Sequence, residues 1–185
     1  DVTHRYKYNS IIREKNAQLQ KLLQTTEQYK DALMTEAIVL YQVNFSKDTI
    51  ENDIVQRKKN KTIKVLDTVD ISIPCSYDEY CRRWSNRVSD DTLDNYRRLI
   101  TSAKMIDEYN KGTTLLTIDY RTIDTQNEEM WINKTVYLTK DNATGDIIGI
   151  VSLRNANERY RQEFLRESLA KQAAQDLLTG LYNHV

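Results

Sequence analysis

The apolar residues of this chain change period at Ala37, and that change does most to limit what it can fold into. Residues 6–36 contain no Gly or Pro, and Ile12, Leu19, Thr26 and Leu33 recur every seven positions with Lys15, Leu22 and Tyr29 between them. Such spacing draws a narrow seam along a helix otherwise covered by Lys, Gln, Glu and Asn. Uninterrupted, that helix would extend roughly 45 Å, longer than a small domain is wide. The seam can be buried on the body of its own chain or on a second copy. Its seven-residue period and polar surround point to a self-pairing coiled coil, weakened by Thr26 and Lys15. From Ala37 the period becomes two: Ile38, Leu40 and Gln42 alternate with Val39, Tyr41 and Val43, which predicts a strand.

Beyond that strand, the turn and cap residues predict a mixed α+β domain. Ser46-Lys47-Asp48 supplies a turn, and residues 49–56 are expected to return as a second strand. Arg57-Lys58-Lys59-Asn60-Lys61 is a basic run without interleaved aromatics, so a solvated hairpin or loop is expected rather than a nucleic-acid patch. Ser76 followed by Glu79 fits a capping box and starts a short helix running to about Asn86. Ser89-Asp90-Asp91-Thr92 caps another, with Leu93, Tyr96, Leu99, Ile100, Ala103 and Ile106 at helical spacing until Gly112 ends it. Three strands follow, at 114–122, 129–139 and 146–154; the last is almost continuously apolar and is expected to be central. Asp141-Asn142-Ala143-Thr144-Gly145 turns between the last two, with Gly145 able to take a positive φ. After Asn155 comes a second polar helix.

Composition excludes some functions. Charged residues are 29% of the 185 but cancel to zero, so nothing favours nucleic acid or an anionic membrane as a partner. The chain is 39% apolar, enough for one modest core, and the polar stretches 1–35 and 156–176 concentrate that core between them. No run of about 18 apolar residues occurs, so no segment is expected to span a bilayer. The opening Asp1-Val2-Thr3-His4-Arg5 has no initiator Met and no signal-peptide core, and reads as a cut inside a longer cytoplasmic protein. Cys75 and Cys81 are too few for a disulfide framework or a four-ligand zinc site and are expected as free, partly buried thiols.

The order strand, strand, short helices, longer helix, three strands is similar to that of PAS domains, a small sensor fold. Local motifs over residues 37–157 carry the resemblance. Gly112, with a strand ending in Tyr120-Arg121, resembles the entry into the third PAS strand. Glu128-Glu129-Met130-Trp131-Ile132 resembles the Gly-Glu-x-x-Trp-Val that begins the fourth. Thr139-Lys140-Asp141 through Gly145-Asp146-Ile147-Ile148-Gly149 resembles the hairpin into the fifth. Arg154-Asn155-Ala156-Asn157-Glu158-Arg159 stands where the family exit signature is usually Arg-Asp-Ile-Thr-Glu-Arg. The family Asp can tie the sheet to the output helix by a charge-assisted contact, whereas Asn155 is neutral and holds it less strongly. The resemblance implies a five-stranded antiparallel sheet with helices on one face, long flanking signalling helices, and a ligand pocket between sheet and helices. Tyr80, Trp84, Tyr96, Ile100, Ile118 and Trp131 are the candidate pocket residues, unless they simply fill the core.

Residues 176–185 resemble the opening of a GGDEF domain, the bacterial diguanylate cyclase family. That opening is characteristically Ala-x-x-Asp-x-Leu-Thr-Gly-Leu-x-Asn-Arg; Ala173, Asp176, Leu178, Thr179, Gly180, Leu181 and Asn183 fall in register, and His184 replaces the Arg. The two resemblances imply an N-terminal helix at 1–36, a PAS-like sensor at 37–157, a signalling helix at 158–175 and the truncated start of a cyclase at 176–185. Asn155, Leu165, Leu169, Ala173, Asp176, Thr179 and Gly180 would then carry the signal. The family's metal-binding carboxylates and Gly-Gly-Asp/Glu-Glu-Phe hairpin lie further on and this hairpin does not occur here, so the chain is expected not to make cyclic di-GMP.

No cofactor is expected, although a small organic signal could occupy the pocket. Haem commonly takes an axial His, and His4 and His184 sit at the two ends. Cys81-Arg82-Arg83-Trp84 lacks the Asn-Cys-Arg-Phe-Leu-Gln surround of flavin-adduct PAS domains, and neither a Gly-rich phosphate loop nor a Ser/His/Asp set is available. The expected function is a cytoplasmic, homodimeric PAS sensor or dimerisation module regulating a cyclase domain in cis. A PAS domain that dimerises and senses nothing is the alternative, as is the sensor region of another two-component-type protein. For a histidine kinase the phospho-acceptor His is missing, and the strand-rich centre argues against a helical adaptor.

Overall fold

The computed structural model describes residues 11–21, 24, 37–58, 61–125 and 127–180, with only the backbone described at 57–58 and 175–180. Residues 1–37 and 38–185 form two compact units. The first contains α1 (11–21), helical as its seven-residue period predicts; Leu22, Thr26, Tyr29 and Leu33 of the same seam lie outside the described residues. Among the described residues no helix is long and apolar enough to cross a membrane.

The second unit opens with β1 (Val39–Asn44), β2 (Thr49–Ile50), β3 (Val55–Lys58) and β4 (Lys61–Lys64), and continues through β5 (Cys75–Ser76) into three helices. These are α2 (Tyr77–Trp84), α3 (Asp90–Leu99) and α4 (Ser102–Asn110). The long strands β6 (Leu115–Ile123), β7 (Glu129–Lys140) and β8 (Ile147–Asn155) follow, and α5 (Asn157–Gly180) closes the chain. The strands lie in the order β4-β3-β1-β8-β7-β6, each neighbour antiparallel. Five of them, β3-β1-β8-β7-β6, make the antiparallel sheet with helices on one face that the PAS resemblance implies, and β4 widens it. Within the basic run, Arg57 and Lys58 at the end of β3 pair with Thr62 and Lys61 of β4.

Alternation along the strands decides which face is core. Val43 of β1, Ile118 and Tyr120 of β6, Val136 of β7 and Val151 of β8 point inward and are buried under α2–α4. Strand β8 is bonded on both sides, and Val151 stands between Tyr41 and Val136. Its inward residues Ile147, Val151 and Leu153 are buried, while Ile150 on the other face is 43% exposed. Gly145 takes φ +75° in the hairpin that feeds β8, as its place in the turn requires.

Two expectations are corrected. Residues 49–56 do not form one strand: β2 ends at Ile50 and β3 begins at Val55. Ile50 and Ile54 are both fully buried, and a continuous strand would place Asn52 between them on the core face. The chain bends instead, leaving Asn52 exposed and Asp53 paired with Lys64 at 2.7 Å. The single helix expected from 89 to 111 is broken at Ile100–Thr101. Thr101 caps α4 by accepting from the Lys104 N–H at 3.2 Å, and the Ser102 N–H donates to Asp78 Oδ1 at 2.7 Å. Both halves bury apolar residues at helical spacing, so the pattern reads through the break.

Gly149 of β8 marks the tightest approach in the core. A Cβ there would lie 2.5 Å from Phe45 Cε2 and 3.1 Å from the Tyr137 carbonyl oxygen. Phe45 is itself buried, edge-on to Tyr77 at a centroid distance of 5.2 Å, and cannot retreat without disturbing that pair. Gly149→Ala should therefore cost about 1–3 kcal/mol in denaturant unfolding. An unchanged midpoint would show that Phe45 has room to move.

Candidate functional site

The residues expected to line a pocket separate into four places. Tyr80 and Trp84, one turn apart on α2, line a cavity of about 30 Å³ together with Val39, Gln56, Tyr120 and Ile132. Space of this size admits one or two waters. Trp84 Nε1 is buried without a hydrogen-bond partner, and Gln56 Oε1 accepts from Thr125 Oγ1 at 2.6 Å. Tyr96 and Ile118 are core residues, with the Tyr96 ring 4.7 Å from that of Tyr120. Ile100 lies away from the cavity, on a cleft shared with Asp78, Cys81 and Arg97. Trp131 is a correction: the β7 alternation turns Ile132 inward and Trp131 to the outer face, where it stacks on Tyr160 at 3.9 Å and 15°. Among the described residues no group of three or more His, Cys, Asp or Glu side chains could hold a metal ion.

One polar core residue escaped the sequence reading. Lys134 of β7 is 2% exposed. Its Nζ donates to Tyr77 Oη at 2.9 Å, lies 4.0 Å from Cys81 Sγ, and sits 5.0 Å and 6.0 Å from the Tyr77 and Tyr96 ring centroids. Burial lowers its pKa, and only the Cys81 thiol opposes that shift. Burial pushes Cys81 up, with Lys134 acting against it, and drives the Tyr77 and Tyr96 hydroxyls far above their ordinary value. The signal was present in the strand phase: Ile132, Lys134, Val136 and Leu138 alternate inward together.

The outer face of the sheet carries the start of α5. Ala156 is buried, and its N–H donates to the Trp131 carbonyl at 2.9 Å. The Trp131 N–H donates to Asn157 Oδ1 at 2.7 Å, and the Asn157 N–H donates to Asn155 Oδ1 at 2.8 Å. Asp119 of β6 accepts from the Arg159 guanidinium and from Tyr160 Oη at 3.1 Å, while its other oxygen accepts from Asn133 Nδ2 at 2.7 Å. Asn155 thus caps the turn into α5, and the charge-assisted tie between sheet and helix runs from Asp119 to Arg159. Neither Asp119 nor Tyr160 was legible as a partner in sequence, because 40 or 41 residues separate the paired groups.

Past Tyr160 the helix leaves the sheet. Leu165 and Leu169 are exposed, as is Phe164 at 71%, which the four-residue spacing of Leu165, Leu169 and Ala173 had not included. Ala173 is exposed as well, and Asp176, Thr179 and Gly180 are helical in backbone, their side chains lying outside the described residues. Trp131→Ala removes the stack that clamps Tyr160, an interaction of about 0.5–1.5 kcal/mol beyond the area it buries. Amide exchange over 157–161 should then accelerate roughly five- to tenfold while that of β8 stays unchanged. Equal acceleration in both would mean that Trp131 holds the sheet and not the helix.

No protein-family model and no curated protein sequence matches the chain. Solved structures do resemble it. A sensory box histidine kinase/response regulator from Burkholderia thailandensis E264 is 9% identical with a TM-score of 0.46, covering 80% of this chain and 98% of that one. The N-terminal domain of a diguanylate cyclase with PAS/PAC sensor from Marinobacter aquaeolei is 10% identical with a TM-score of 0.40, covering 66% and 97%. The PAS domain of the fruit-fly ELK potassium channel is 12% identical with a TM-score of 0.40, covering 73% and 97%.

Proposed function

We propose that residues 37–157 are a cytoplasmic PAS sensor or dimerisation module without catalytic activity of its own, regulating a C-terminal diguanylate cyclase through α5. The observation that carries this reading is the construction of α5. Its first turn is clamped to the sheet by Trp131, Asp119 and Asn157, and the remainder presents Phe164, Leu165 and Leu169 to solvent. A clamped start transmits movement of β6 and β7 into the helix axis. An exposed apolar stripe on a helix leading into cyclase-like residues favours a second α5 as its cover, and hence a homodimer. A cyclase needs two GTP-loaded sites facing each other, so the pairing of two such helices is a physical control variable. A module that dimerises without binding a ligand is the second reading, and the small cavity beside Tyr80 and Trp84 supports it.

Phase along α5 tests the relay. One residue inserted after Lys171 rotates everything beyond it by about 100°, whereas seven nearly restore the phase. In the full-length protein the single insertion should change cyclase output strongly and the seven-residue insertion much less. Equal effects from both, or none from either, would make α5 a passive tether.

A further inference from the structure

We propose that Cys81 and Lys134 are a redox modification site, joined by a reversible sulfur–nitrogen bond when the protein meets hydrogen peroxide. The two side chains come from different elements, α2 and β7, and their Sγ and Nζ atoms stand 4.0 Å apart. Packing does not account for the lysine: an amine in an apolar core is unfavourable beside a hydrophobe of the same length. Cys81 is 2% exposed, so a small oxidant has to enter through a neighbouring cleft. Cys81 borders a cleft of about 270 Å³ where α2 meets the α3–α4 break, with Asp78, Ser85, Arg97 and Ile100 around it. Peroxide is small enough to enter such a space.

The chemistry needs both groups. Burial lowers the pKa of the amine and raises that of the thiol, which favours the neutral form of each, and a thiol so shifted is slow to react alone. The amine lone pair beside the S–H supplies the missing base. As Nζ takes the proton, Sγ attacks one peroxide oxygen, the O–O bond breaks, and the departing hydroxide recovers the proton from Nζ as water. Cys81 is now a sulfenic acid, oxidised by two electrons, and peroxide has been reduced. The amine, neutral again, attacks Sγ; the S–O bond breaks and the leaving hydroxyl departs as a second water with an amine proton. The sum is thiol plus amine plus peroxide giving a sulfenamide and two waters, and a thiol reductant reverses it. The four-methylene stem of Lys134 lets Nζ travel to Sγ without moving β7. The cross-link stands independently of what α5 controls.

The test uses the full chain with Cys75→Ser, because a Cys75–Cys81 disulfide would cause the same mass change. After peroxide treatment, denaturation and alkylation, intact mass should fall by two hydrogens. Digestion should yield one fused peptide containing Cys81 and Lys134, released by dithiothreitol. The product should be absent when Lys134→Met or Cys81→Ser is added, with Lys134→Gln as a second probe should the first variant fail to fold. Four results would overturn the proposal: dimedone-trapped sulfenic acid without a fused peptide, sulfinic or sulfonic acid at Cys81, a bridge retaining one oxygen, or an untouched Cys81.

Discussion

Lys134→Met is expected to stabilise the domain by about 1–4 kcal/mol, because a hydrophobe of similar length replaces an amine held in an apolar core. For a domain of this size each kcal/mol corresponds to roughly 2–4 °C in Tm. The Tyr77 hydroxyl loses a donor, and that offsets part of the gain. The pH dependence carries the sharper signature. The folded-state pKa of Lys134 is depressed, so between that value and the unfolded value of about 10.4 the unfolded chain binds more protons than the native one. Stability of the wild type should therefore rise with pH across that window, and the penalty should be complete below it. Tyr77, Tyr96 and Cys81 face the amine, and their raised pKa values act in the opposite sense only on the alkaline side. Urea unfolding above the depressed lysine pKa and below about pH 8.5, the ordinary Cys value, should show a positive slope in the wild type that flattens in Lys134→Met. Parallel slopes in the two proteins would mean that the lysine reaches water.

Asp48→Ala should have the opposite sign and comparable size, a loss of about 2–4 kcal/mol. Asp48 ends the turn after β1 at φ +50°, a left-handed conformation that Asp tolerates better than Ala. Its carboxylate accepts from the Asp78 N–H at 2.9 Å, from Ser102 Oγ at 2.6 Å and from Ser76 Oγ. Asp78 in turn accepts from the Ser102 N–H at 2.7 Å. One side chain thus ties the β1–β2 turn to the starts of α2 and α4, and removing it strands donors at two helix N-termini. Asp48→Asn keeps one acceptor oxygen and the tolerance for positive φ, so it should lose less. Denaturant midpoints that rank Ala below Asn below wild type would confirm the tie; three equal midpoints would show that water replaces the carboxylate without cost.

What the sequence determined by itself was local. Alternation at residues 38–43, the Ser76–Glu79 cap, the Gly145 turn and the apolar run of β8 each depend on a few consecutive residues, and each is present. From these the α+β class and the order of strands and helices followed. Residue type misled where it disagreed with strand phase. Trp131 was expected at the pocket or in the core and Lys134 was given no place, yet the alternation of β7 sends Trp131 out to Tyr160 and Lys134 in to Tyr77 and Cys81. The interruption between Ile50 and Val55 and the break at Ile100–Thr101 were likewise hidden. Their causes are an unburiable Asn52 and a cluster of Asp48, Asp78 and Ser102 assembled from three distant segments. Only the tertiary structure decides where such polar groups go, because a buried donor or acceptor is tolerated wherever the fold brings it a partner. For Lys134 and Tyr77 that partner lies 57 residues away, for Ser102 and Asp48 it lies 54, and no local pattern records either meeting.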